Sequence, residues 1–224
     1  MSDSSHPENR REFLALAATS AAAGLGAMLN VQSAAATEPA AGQASAVTQW
    51  LDSIPGKFRQ VVDWPEENHG MGLAYTFAYL RSAPEGWGVP ESDIGAVLVI
   101  RHNAIPMALN DSVWAKYKLG EAFEITDPTT SAPAVRNPYY SAPIALPFPE
   151  MALSALLGRG VCVAACGLAM AFRSGRIAEK MGLDPEVVKQ EWMAAVYPGI
   201  TVMPSGVFAC HAAGTRGCTY LFAG

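Results

Sequence analysis

The sequence predicts an α/β fold, a three-layer α/β/α domain around a parallel sheet of about five strands. Three observations carry this. Ile94 to Ile100 (IGAVLVI) is a near-continuous apolar run, the pattern of a parallel strand buried on both faces. Short strand-like runs alternate with segments of helical spacing, as parallel neighbours joined by crossovers require. Helix-start residues recur between the strand-like runs: Asn110, Asp184 before Pro185, and Ser205.

Taken in order, Lys57 to Asp63 (KFRQVVD) predicts the first strand. His69 to Arg81 spaces Leu73, Phe77 and Leu80 as a helix does. After the Ile94 to Ile100 strand, Asp111 to Leu119 predicts a helix, with Asn110 as N-cap and Gly120 as its stop. Pro149 to Leu157 predicts another helix, Gly160 to Ala165 a third strand, and Gly167 to Met181 the helix after it. A short helix follows Asp184, then a fourth strand at Ile200 to Met203. Ser205 caps a helix through Ala213, and Cys218 to Phe222 is the fifth strand. Between these, Glu121 to Phe148 carries Pro128, Pro133, Pro138, Pro143 and Pro147. Five prolines exclude a long helix or a central strand there. Its Tyr139-Tyr140 pair predicts an insert that packs.

Residues 1–36 read as an export signal. Arg10-Arg11 precede Phe13-Leu14, an apolar Ala/Gly-rich stretch runs to Leu29, and Ser33-Ala34-Ala35-Ala36 is a small-residue cleavage site. That order is the pattern of a twin-arginine (Tat) signal peptide. The expected destination is the periplasm, with the Tat translocase as a partner during export. Residues 37–56 form a leader segment, its first part mobile, and 57–224 one domain with the insert at 121–148. The 224 residues are half hydrophobic and carry 20 acidic against 15 basic side chains, a net charge of −5. That composition excludes a disordered chain and gives no basic footprint for nucleic acid.

Ligands of open parallel sheets bind beyond the carboxyl ends of the strands. Those ends hold Arg101-His102-Asn103, Cys166-Gly167 and Pro204-Ser205-Gly206. Cys166 closes a strand and opens a helix, where free N–H groups favour an anion, so it reads either as a nucleophile or as a small core residue. Gly167 keeps the backbone open beside it. Cys162 lies inside the strand, too far along it to bridge Cys166, and reads as core. Cys210 and Cys218 flank the last turn, so a disulfide between them is open. The four cysteines and the histidines at 6, 69, 102 and 211 have no zinc spacing, so no metal is expected. His102 reads as an acid–base group, a haem ligand or a histidine satisfied by a backbone carbonyl.

Leu156 to Gly167 (LLGRGVCVAACG) resembles the DsrE-like pattern of a helix, a Gly-Val, and a strand closed by Cys. Pro198 to Val207 (PGITVMPSGV) resembles that family's second hallmark, and Gly217 to Leu221 its final strand. Val97 to His102 is similar to its second strand. The resemblance implies a DsrE/DsrF-like domain, a group that includes sulfur-relay subunits carrying a persulfide on Cys and commonly assembling as oligomers. By that resemblance Cys166 stands at the family's cysteine. The chain would be an exported protein handling sulfur or thiols, with Cys166 as persulfide acceptor. His102 would stabilise the anion, and Ser205, Gly167 and Asn103 would bind the ligand. The partners would be a sulfur donor or acceptor protein or a small thiol, and the chain a homo-oligomer. No cofactor is expected on this reading. The alternative is a periplasmic protein binding a small molecule or haem in the same cleft, or a subunit without chemistry.

Overall fold

Seven consecutive apolar residues leave a strand no wettable face, and Ile94–Ile100 is buried at every position at the centre of the sheet. The computed structural model describes residues 41–141 and 146–224. Residues Ser45–Gly224 form one compact unit. Five strands pair in the order β4-β3-β2-β1-β5, where β1 is Phe58–Trp64, β2 Ile94–Ile100, β3 Cys162–Cys166, β4 Ile200–Met203 and β5 Cys218–Phe222. Every pairing is parallel, with Trp64 opposite Ile100, Ile100 opposite Ala165, and Cys166 opposite Met203.

Alternate strand residues point to opposite faces, so the two helix layers are written into the strands with period two. Val62, Trp64, Leu98, Ile100, Val163 and Ala165 face one core. That core is filled from α2 (Met71–Trp87), α5 (Leu153–Gly158), α6 (Gly167–Met181) and α7 (Pro185–Ala194). Val61, Val97, Val99, Ala164 and Met203 face the other, against Ala209 and Ala213 of α8 (Gly206–Thr215) and against Trp50 and Ile54. Trp50 lies on α1 (Ala41–Asp52), inside the segment expected as a leader. The three-layer α/β/α architecture with five parallel strands is the one the sequence predicts.

Several boundaries differ from expectation, each for a local reason. α2 starts at Met71 because Asn68, His69 and Gly70 all hold positive φ. It then runs past Arg81 and through Pro84 to Trp87, whose ring stacks on Phe58 at 4.9 Å. The expected Asp111 to Leu119 helix is two single turns, α3 (Asp111–Trp114) and α4 (Leu119–Ala122). Lys118 breaks it with φ 49°. Gly120 is no stop. It sits inside α4 because a Cβ there would lie 2.3 Å from the Ala134 backbone nitrogen. The Pro149 to Leu157 helix is a 3-10 turn and then α5, separated by extended Ala152. The proline-rich insert packs irregularly. Ile125, Ala134 and Tyr139 are buried, and the Asn137 side-chain amide donates to the carbonyls of Met107 and Leu109. Pro143 and the expected signal residues Arg10 and Arg11 lie outside the described residues. Among the described residues no helix is long and apolar enough to cross a membrane.

Candidate functional site

The connections make one place in the sheet special. β3 runs into α6 on one face, whereas its neighbour β4 runs into α8 on the other. The strand order reverses between β1 and β5, and the carboxyl ends of β3 and β4 form the point where the chain passes from one helix layer to the other.

Cys166 stands at that point. It ends β3 and is the N-cap of α6, its Sγ accepting the Ala169 N–H at 3.2 Å. It is buried, with 6% exposure. Gly167 is tightly enclosed, since a Cβ there would come within 2.9 Å of the Met203 carbonyl oxygen. Leu168 N–H closes this edge further by donating to the Pro204 carbonyl at 3.1 Å. Ser205 caps α8, its Oγ accepting the Phe208 N–H at 3.1 Å. These three residues gather at the carboxyl ends of β3 and β4, but Ser205 is committed to its helix and Gly167 to packing.

His102 and Asn103 belong to a second centre. His102 takes φ 51°, and its Nδ1 meets Glu66 at 2.7 Å while its Nε2 meets Arg173 at 3.0 Å. A guanidinium only donates, so Nε2 is the acceptor and Nδ1 carries the proton given to Glu66. Both ring nitrogens are thus engaged away from Cys166. Asn103 donates to the other Glu66 oxygen at 2.8 Å. A cleft of about 620 Å³ opens here, lined by Asn103, Phe123, Glu124, Arg173, Arg176 and Lys180 among others. His102, Cys166, Gly167 and Ser205 are not in its wall, so the cleft and the cysteine are separate features.

Sequence reasoning missed a third group. Asp63, 3% exposed at the end of β1, accepts two hydrogen bonds from Arg101, Nε to Oδ1 at 2.6 Å and Nη2 to Oδ2 at 2.8 Å. Tyr220 of β5 donates to the same carboxylate at 2.5 Å. Gly206 leaves space for this arginine, because a Cβ would lie 2.6 Å from the Arg101 Cβ. The available signal was a lone carboxylate in an otherwise apolar strand end beside an arginine directly after β2.

The cysteines divide by environment. Burial pushes the Cys210 thiol up to about 12, with Asp63 adding to the rise and Arg101 opposing it. Burial likewise raises Cys162 and Cys218. Cys162, expected as core, is half-buried and donates to the Ser53 carbonyl at 3.2 Å. All four are free thiols, Cys210 and Cys218 included. Cys166 reads from the sequence as a nucleophile or a small core residue. It is buried, because Gly167 and Leu168 fold directly onto the end of β4. Among the described residues no group of three or more His, Cys, Asp or Glu could hold a metal ion.

No family model and no curated protein matches the chain. A solved structure of a protein of unknown function, MTH1491 from Methanobacterium thermoautotrophicum, is similar at 15% identity and a TM-score of 0.36, covering 74% of this chain and 98% of that one. The fold class rests on the molecule's own five-stranded parallel sheet between two helix layers.

Proposed function

We propose that this is an exported, DsrE-like protein that handles sulfur or thiols, with Cys166 as the accepting sulfur. The observation that carries this is the backbone N–H of Ala169 directed at the Cys166 Sγ from the first turn of α6, at the carboxyl end of β3. An oriented N–H is a fixed partner for sulfur that carries negative charge. Cys162, Cys210 and Cys218 are all held toward the thiol by burial.

The chemistry is thiol exchange without net oxidation. The Cys166 thiolate attacks the outer sulfur of a donor persulfide, forming a new S–S bond. The donor's S–S bond breaks and its electron pair leaves on the donor thiolate. A second thiolate then takes the outer sulfur in the same manner and regenerates Cys166. Access requires the Leu168–Pro204 contact to open. Leu168 and Val207, in the first turns of α6 and α8, are exposed apolar side chains beside it, suited to a protein donor. The test is intact mass after incubation with inorganic polysulfide and removal of excess. Wild type and Cys210→Ser are expected to gain one sulfur atom, and Cys166→Ser none. Retention of the adduct in Cys166→Ser would overturn the assignment.

A further inference from the structure

We propose that the cleft beside α6 is a binding site for the oxyanionic group, phosphoryl or carboxylate, of a small molecule, held by Arg173, Arg176 and Lys180. The three cations recur at i, i+3 and i+7 and so share one face of α6, and all three line the cleft. Among the described residues, none of them has a carboxylate within ion-pair distance. Arg173 shows the deficit most directly. Its Nη2 is spent on the neutral His102 Nε2, which leaves the charge uncompensated, and its Nε is buried with no hydrogen-bond partner. Buried donors are nearly always satisfied, so the bare Nε marks a guanidinium whose hydrogen bonds are incomplete. A guanidinium presents its donors in a fork that matches the two oxygens of a carboxylate or phosphoryl group.

The rest of the lining limits what fits. Glu124 and Glu179 border the same space, so the lining holds three cations and two carboxylates. That suits one oxyanionic group on a molecule whose remainder carries hydroxyl or amine donors. The volume of about 620 Å³ is that of a small-metabolite site. Cys166 is outside this wall, so the site stands apart from the sulfur reading and the two succeed or fail separately.

The test is isothermal titration of the purified full chain with inorganic phosphate and with succinate, at constant ionic strength set by sodium chloride. Saturable one-to-one binding of at least one probe is expected, and the tighter probe identifies the phosphoryl or the carboxylate source. Arg173→Gln should weaken it at least tenfold. The double variant Arg176→Gln/Lys180→Gln, which changes two exposed side chains the core does not need, should do the same. Arg216→Gln, a cation paired with Asp52 elsewhere, should leave it unchanged. Absence of saturable binding for both probes, or binding that survives both cleft variants, overturns the proposal.

Discussion

Two charged centres sit at the same edge of the sheet and are built in opposite ways. The Asp63–Arg101–Tyr220 group is closed: its carboxylate is buried and takes three donors, and its guanidinium is paired in fork geometry. The Glu66–His102–Arg173 chain is open: Glu66 and His102 are partly solvated, and Arg173 ends the chain with an unused donor. A satisfied buried ion pair has nothing left to offer a ligand, and its removal exposes the cost of the partner left behind. An unsatisfied, half-wet one contributes little to folding and keeps its charge for something else. The first centre therefore ties β1, β2 and β5 together, whereas the second reaches the cleft through Arg173.

That contrast is sharpest in stability. Asp63→Ala strands the Arg101 guanidinium and should cost about 3–5 kcal/mol in urea unfolding. Glu66→Ala breaks one exposed and one part-buried contact and should cost about 1 kcal/mol or less. Equal losses would erase the distinction. Between these lies the cap of α8, where Ser205→Ala should cost about 1 kcal/mol. If it instead leaves stability unchanged while weakening sulfur loading, Ser205 is a site residue and not a cap.

Acid titration should give the smallest effect. The Thr129 hydroxyl, with Arg136 behind it, holds the Asp127 carboxyl below the usual carboxylate range. A depressed folded value means that the stabilisation is present above the unfolded-chain value of about 3.9 and is lost as pH falls through the lower folded value. Asp127→Asn should therefore be less stable than wild type at neutral pH, with the gap closing below about pH 4. A gap that widens on acidification would contradict the assignment.

What was legible in the sequence was local. The Ile94–Ile100 run needs no context to read as a buried strand. The caps Asn110, Asp184 and Ser205 each bond a backbone N–H two or three residues on, so sequence spacing alone finds them. What was hidden depended on register and packing. Asp63 and Arg101 meet only because β1 and β2 pair as they do, 38 positions apart in the chain. The left-handed turn at Lys118 and the close approach of the Ala134 backbone to Gly120 are features no helical pattern contains. Arg173, Arg176 and Lys180 have the spacing of an ordinary solvated helix face. Only the Phe123–Glu124 corner folded beside them turns that face into a cleft wall. His102 and Cys166 do fall at the same sheet edge, as the strand ends indicate, but the left-handed turn at His102 directs its ring to Glu66 and Arg173.

We propose that sulfur chemistry belongs to Cys166 and not to its neighbour Cys210. This is tested most directly by iodoacetamide labelling of the native protein across a pH series, with each cysteine quantified by peptide mapping. Cys210 is half-buried, and burial and Asp63 push its thiol up to about 12, so its labelling should stay low until strongly alkaline pH. Cys166, with the Ala169 N–H on its sulfur, should label ahead of Cys210. Faster labelling of Cys210 than of Cys166 at neutral pH would contradict the account.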